Sequence, residues 1–363
     1  MNQDFYYKLV SGHLKGWTAT VLRAALAIAG KIYSLIIRLR NLLYDKQVLK
    51  THHSKAIVIS IGNITLGGTG KTPLVVWLCN YLHRQNLSCA ILTRGYKTYT
   101  KTNELPNTLI DEPAVLLENC PQAEIIIDPD RVAGAAKAIE KFGAKVLIMD
   151  DGFQHRRLVR DLDIVTIDAT QPFGFEKIFP AGLLREPLTS LRRADAVVIT
   201  RCGQIGESEL RNIENKLRTV NPDILITQSI HAAVNIKSKD NVETAVEKLK
   251  DSKIYAFCGI GNPDAFFNTI KALGAEITGS KNYNDHYQYT RACLADIYTQ
   301  ARLAGASIIL TTQKDWSKIK HLKPDKKDIQ LAYLAVQIKF ITGQDRLTCL
   351  IKDTIAGKIS NID

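Results

Sequence analysis

The stretch KAIVISIGNITLGGTGKTPLVVWL, residues 55–78, decides the fold. Lys55–Ile61 is a short β-branched run, the composition of a strand buried on both faces. A glycine-rich turn follows, and then the apolar-periodic stretch Leu74–Leu82 reads as a helix. Strand, glycine turn and helix in that order are the setting of a phosphate-binding loop. Gly67, Gly68 and Gly70 let the backbone curl so that its N–H groups face phosphate oxygens. Lys71 supplies a cation for β- and γ-phosphates, and Thr72 offers a hydroxyl to Mg²⁺. Thr65, Leu66 and Thr69 complete the loop. The pattern GxxxxGK[ST] has glycine where this chain has Thr65, so the loop is of the GGxGKT type. Pro73 is tolerated in the first helical turn.

Outward from this loop, strand-like runs recur at 88–93, 123–127, 145–149, 162–167, 195–200 and 224–228, separated by helical patterns. The alternation predicts an α/β fold, a P-loop NTPase-like doubly wound and largely parallel sheet. Runs at 253–258, 275–278, 306–311 and 330–336 predict a second, smaller α/β domain. The expected division is an N-terminal helical segment over 1–47, a phosphate-loop domain over 48–235 and a C-terminal domain over 236–363. The strand Lys145–Met149 runs into Asp150-Asp151-Gly152, placing carboxylates at the strand end that faces the ligand crevice. Beside a phosphate loop, Asp150 and Asp151 are candidate Mg²⁺ ligands.

The net charge of +12 is uneven. Residues 1–55 carry nine Lys and Arg against Asp4 and Asp45, a local +7. Within them, WTATVLRAALAIAGKIYSLIIRLRNLL at 17–43 is strongly apolar and lacks proline, but Arg23 and Lys31 interrupt it. At 100° per residue, Arg23, Lys31 and Arg38 share a stripe with Thr20, Ala27 and Ser34. A wide aliphatic surface with a basic seam suits a bilayer interface carrying anionic lipid. A nucleic-acid arm would have more cations and fewer aliphatics, so no nucleic-acid partner is expected. The seven cysteines form no CxxC pair and no zinc spacing; they read as small buried residues of a reducing compartment.

Further segments share one resemblance: ISIGNITLGGTGKTP at 59–73, TRGY at 93–96, DEP at 111–113, DDGFQHRRLVRDLDIV at 150–165, PAGLLREPL at 180–188, ADAVVITR at 194–201, FCGIGNPDAFF at 257–267, NDHYQYT at 284–290 and TTQKDWSK at 311–318. In this order they resemble the tetraacyldisaccharide 4'-kinases, from the N-terminal helix to about Lys318. The resemblance implies ATP and Mg²⁺ as cofactors and transfer of the γ-phosphate to the 4'-hydroxyl of a tetraacyldisaccharide 1-phosphate, giving the lipid A precursor. It implies a peripheral or monotopic protein on the cytoplasmic face of the inner membrane, with no protein partner evident. It makes Asp111 and His286 a catalytic dyad that activates the acceptor, and it lets Glu112 assist the metal. Arg94, Arg131, Arg156, Arg157 and Arg185 are candidates for holding phosphate. Thr93, Ile110 and Leu183 depart from the family's usual residues without touching a proposed catalytic atom. A membrane partitioning ATPase is the rival reading, but such loops place a lysine before the paired glycines, where this chain has Leu66.

Overall fold

The computed structural model describes residues 3–95, 112–238, 242–285, 287–322 and 329–359. The chain forms two compact units. The first comprises residues 1–94, 122–230 and 340–363, and the second 95–121 and 231–339. Neither is contiguous, unlike the expected division at residue 235. After an earlier excursion over 95–121, the chain passes from the first unit to the second inside a long strand, β7 (Leu225–Ser238), and returns inside another, β12 (Gln330–Thr342).

In the first unit, seven strands lie in the order β3 (Glu124–Ile127), β2 (Cys89–Thr93), β4 (Val146–Asp150), β1 (Ile57–Asn63), β5 (Leu162–Asp168), β6 (Ala196–Thr200) and β7. Every neighbouring pair is parallel. All residues of β1, β2, β4, β5 and β6 are buried, as expected for a parallel sheet covered on both faces. One apolar cluster gathers Val58, Leu92, Leu147 and Ala138; the other gathers Val165, Ile167, Val197, Ile213 and Leu217. Crossover helices supply the outer layers: α3 (Lys71–Arg84), α5 (Arg131–Phe142) and α6 (Glu207–Val220). Asp130 caps α5 by accepting from Val132 N, and Gly143 ends it in the left-handed region. The register sets Asp150 beside Ile61 and Thr166 beside Asn63, so the ends of β4 and β5 flank the loop that leaves β1. The last helix, α10 (Gln344–Ile359), belongs to this unit; Leu347 and Ile351 are buried, and Lys358 pairs with Asp161 at 2.8 Å.

The N-terminal helices α1 (Gln3–Val10) and α2 (Trp17–Asp45) also belong to it. In α2 only Ala19, Gly30 and Ile37 are buried, and on another face Trp17, Val21, Ile28, Ile32, Leu35, Leu39 and Leu42 are exposed. Its 29 residues are long and apolar enough to cross a membrane by length and composition. Gly30 permits close approach, since a Cβ there would meet Ile178 O at 3.0 Å and Ala181 Cβ at 3.2 Å. The expected basic seam is corrected in part: Arg23 donates to Leu14 O at 2.7 Å, whereas Lys31 and Arg38 are exposed.

The second unit carries β9 (Lys253–Cys258) between β10 (Glu276–Asn282) and β11 (Ile308–Thr312), with β12 beside β11, all parallel. Its helices are α4 (Glu112–Asn119), α7 (Pro263–Ala272), α8 (Arg291–Leu303) and α9 (Gln313–Ile319), and α4 packs on α9. A short β8 (Glu243–Ala245) pairs antiparallel with the far half of β7. Five cysteines are buried as expected; Cys293 is half-buried and Cys349 is exposed, contrary to the reading of all seven as core.

Candidate active site

The phosphate loop leaves β1 at Asn63 and enters α3 at Lys71. Gly67 and Gly70 have φ of 106° and 83°, values that require glycine. Thr65 has no such demand. It forms an antiparallel bridge with Leu184, flanked by Leu66 N donating to Leu183 O (2.7 Å) and Arg185 N donating to Ile64 O (2.8 Å). This extended pairing explains why the loop takes threonine where the common pattern has glycine. Thr69 is buried, and its hydroxyl pairs with Thr166 Oγ1 at 2.7 Å and accepts from Asn63 Nδ2 at 3.0 Å. The first turn of α3 has no acidic residue and no side-chain cap, so its positive end faces the loop uncompensated. Lys71 and Thr72 stand in that turn.

Asp150 ends β4 and is buried; its backbone carbonyl accepts from Arg131 Nη2 at 3.4 Å. Asp151 turns in the left-handed region, φ 53°, and its carboxylate lies 3.3 Å from Lys71 Nζ. Arg185 Nη1 donates to both Asp151 oxygens, at 2.8 and 2.9 Å, and to Gln154 Oε1 at 3.1 Å. Burial alone would push the Asp151 carboxyl up, but the Lys71 and Arg185 charges outweigh it and hold the group well below the usual carboxylate range. Gly62 and Gly152 make this turn fit under β1, because a Cβ on Gly62 would come within 2.5 Å of Phe153 Cβ. Gln154 Nε2 donates to Asn63 O at 2.9 Å, tying the turn to the loop.

The same turn is tied to α2: Arg40 donates to Gln154 O, and Arg156 donates to Asn41 O and to Asp45. Asn41 Nδ2 separately donates to Glu186 Oε2 at 2.9 Å. Arg156 also lies over the Tyr44 ring at 5.2 Å. Among the candidate phosphate-holding arginines, Arg156 is the one engaged with α2. The other candidates separate too. Arg185 is on Asp151, Arg131 is buried behind Asp150, Arg157 pairs with Asp130 at 3.2 Å on the surface, and Arg94 is exposed at the end of β2.

Asp111 and His286 lie outside the described residues. Their described chain neighbours belong to the second unit and share a partner: Lys314 Nζ is 3.1 Å from Glu112 Oε1 and 3.7 Å from Asp285 Oδ1. Glu112, expected to assist a metal, is therefore paired with a lysine. Next to Lys314, buried Asp315 accepts from Gly259 N (2.9 Å), Thr312 Oγ1 (2.8 Å) and Tyr289 OH (3.0 Å). Asp315 fixes the start of α9 to Tyr289 and Gly259. Lys314 was missed from sequence; its only signal is its place in TTQKDWSK.

Among the described residues no three His, Cys, Asp or Glu side chains cluster as a metal cage. A Mg²⁺ carried by a nucleotide needs no such cage, since phosphates and water fill most of its six positions. The Thr72 hydroxyl with an Asp151 or Asp150 carboxylate is a donor set of that sparse kind.

Comparison with known proteins agrees across the chain. The family model for tetraacyldisaccharide-1-P 4'-kinase matches residues 22–356. The tetraacyldisaccharide 4'-kinase of Halothermothrix orenii is 36% identical over 341 residues, covering 86% of this chain and 88% of that protein. The enzyme of the same name from Desulfotalea psychrophila is 37% identical over 299 residues, 79% and 85% of the two chains. A crystal structure of the Aquifex aeolicus kinase in complex with ATP superposes with a TM-score of 0.69 at 30% identity, covering 92% of this chain and 99% of that one. The chain belongs to the tetraacyldisaccharide 4'-kinase family.

Proposed function

We propose that this chain moves the γ-phosphate of ATP onto the 4'-hydroxyl of tetraacyldisaccharide 1-phosphate, with residues 62–72 holding the nucleotide. The observation that carries the assignment is the Lys71–Asp151–Arg185 cluster at the mouth of the loop. Two cations share one carboxylate there, so an arriving triphosphate meets positive charge already in place. Lys71 and Arg185 then neutralise the phosphate oxygens as charge moves onto the leaving ADP. Thr72, Asp151 and Asp150 are the residues that would hold Mg²⁺, which when bound supplies further neutralisation of the phosphates.

Asp111 is the proposed acceptor of the 4'-hydroxyl proton, and His286 the group that orients it, a pairing suited to a poor sugar nucleophile. What supports this is the family resemblance together with Lys314, which joins the neighbours of both positions through Glu112 and Asp285. The acceptor is a lipid, and the chain associates with membrane; α2 offers the aliphatic face for it. Lys31, Arg38, Lys46 and Lys50 are exposed on or just after α2, the placement expected for contact with anionic headgroups on the cytoplasmic face.

The test is transfer of label from γ-labelled ATP to detergent-dispersed tetraacyldisaccharide 1-phosphate, run beside Lys71→Ala. Label on the lipid with the natural chain and none with Lys71→Ala is the expected result. Transfer that survives in Lys71→Ala at near-natural rates would remove residues 62–72 from the nucleotide site.

A further inference from the structure

Three successive carbonyls of the phosphate loop each have a side-chain donor. Gly67 O accepts from Asn63 Nδ2 at 3.4 Å, Gly68 O from Arg201 Nη1 at 3.0 Å, and Thr69 O from Thr200 Oγ1 at 2.9 Å. In a planar trans peptide the N–H points opposite to the preceding C=O. Holding the carbonyls of 67, 68 and 69 therefore aims the N–H groups of Gly68, Thr69 and Gly70 the other way, toward the space where a phosphate is cradled.

Two of the three donors stand side by side at the end of β6. Arg201 is 8% exposed and takes a left-handed φ of 58°, uncommon for arginine. Its guanidinium also binds Asp168, which is 4% exposed and ends β5. The other Asp168 oxygen accepts from Thr170 N (3.0 Å) and Thr170 Oγ1 (2.7 Å), so the carboxylate is held from both sides. A buried ion pair that served stability alone would need neither the unfavourable backbone at Arg201 nor a bond to the loop carbonyl.

We propose that Arg201, oriented by Asp168, and Thr200 are positioning residues that preset the anion-facing N–H groups of the phosphate loop. They touch no substrate; they act by preventing the loop peptides from flipping. The proposal rests on residues 62–72 being the ATP loop. Since the barrier they remove is the reorganisation of that loop, the effect belongs to ATP and not to the lipid.

The experiment uses the full-length chain in detergent, with Thr200→Val, Arg201→Lys, Arg201→Met and Asp168→Asn, and Lys71→Ala as the control for the loop itself. Equilibrium ATP binding, KM for ATP, KM for the lipid, kcat and the nucleotide-free thermal midpoint are measured. Thr200→Val, which keeps shape and loses only the hydroxyl, is expected to weaken ATP binding about three- to tenfold. Arg201→Met is expected to weaken it about ten- to a hundredfold, with KM for the lipid unchanged and Arg201→Lys partly restored. If folded Arg201→Met and Thr200→Val lower the thermal midpoint but keep ATP affinity, KM and kcat within about twofold while Lys71→Ala is inactive, the pair is structural only and the proposal falls. If Arg201→Met does not fold, Thr200→Val and Arg201→Lys decide by the same criterion. An active Lys71→Ala would instead remove the loop assignment, and the brace with it.

Discussion

Asp151 holds two cations that a nucleotide would otherwise meet free, and that competition has a measurable sign. In Asp151→Asn the charges of Lys71 and Arg185 lose their intramolecular partner. Metal-free ATP should then bind more tightly than to the natural chain, as titration calorimetry in excess chelator would read. With Mg²⁺ present, kcat should fall by about a hundredfold, because a proposed metal ligand is gone. Weaker metal-free binding would mean that Asp151 shapes the loop instead of occupying its cations. His155, four residues further on, gives a second prediction. Burial, with the nearby Arg131 charge and those of Arg157 and Arg160, pushes its imidazole down to about 4, and its Nδ1 is buried without a hydrogen-bond partner among the described residues. A depressed histidine folds neutral. Its contribution is complete above the ordinary value and is lost as pH falls from about 6.5 toward 4, because the unfolded chain takes up the proton first. The urea midpoint should drop over that window, and His155→Gln should flatten the drop. At this scale the glycines, Lys71 and the paired aspartates were legible because their chemistry is local. Thr65 departs from the common loop pattern for a reason that only its bridge to Leu184 shows, and the partners of Arg156, Asn41 and Asp45, lie more than a hundred residues away in the chain.

Among the elements, α2 shows what periodicity reveals and what it hides. Its length and apolarity are plain from residues 17–43, but its docked side, Ala19, Gly30 and Ile37, is itself made of small and aliphatic residues. No contrast of polarity separates the docked face from the exposed one, so Arg23 was grouped with Lys31 and Arg38 although it bonds the preceding turn. The exposed stripe carries the prediction. Ile28 and Leu35 are 63% and 68% exposed, and changing both to aspartate should cost the fold little. Vesicle flotation should show binding weakened about tenfold or more, given about 1.5–3 kcal/mol for burying each aliphatic side chain, while ATP binding in detergent stays unchanged. Equal flotation of the double variant would shift membrane contact away from α2. In the second unit, α4 and α9 meet through Lys314 and Glu112, a pairing between segments two hundred residues apart that single-residue patterns do not announce.

For the molecule as a whole, the strands around the phosphate loop were readable because buried parallel strands are short β-branched runs between helices. Assignment of those strands to units was not, since β7 and β12 each serve both. One consequence is testable. A chain ending at Lys339 keeps every motif residue but loses α10, whose Leu347 and Ile351 are fully buried in the first unit. Removing two such side chains costs about 4 kcal/mol or more in lost burial. The truncated chain should therefore lose cooperative thermal unfolding and ATP binding together. Retention of both would make α10 an appendage.

The anchoring of α2 on the turn after Asp151, through Arg40, Asn41 and Arg156, has a kinetic corollary. With α2 as the proposed lipid-facing helix, a turn leashed to it would sample the acceptor in two dimensions. Turnover then follows the mole fraction of substrate in the surface and not its amount per litre. Adding inert detergent at constant total substrate should slow the reaction by surface dilution, and adding buffer at constant mole fraction should not.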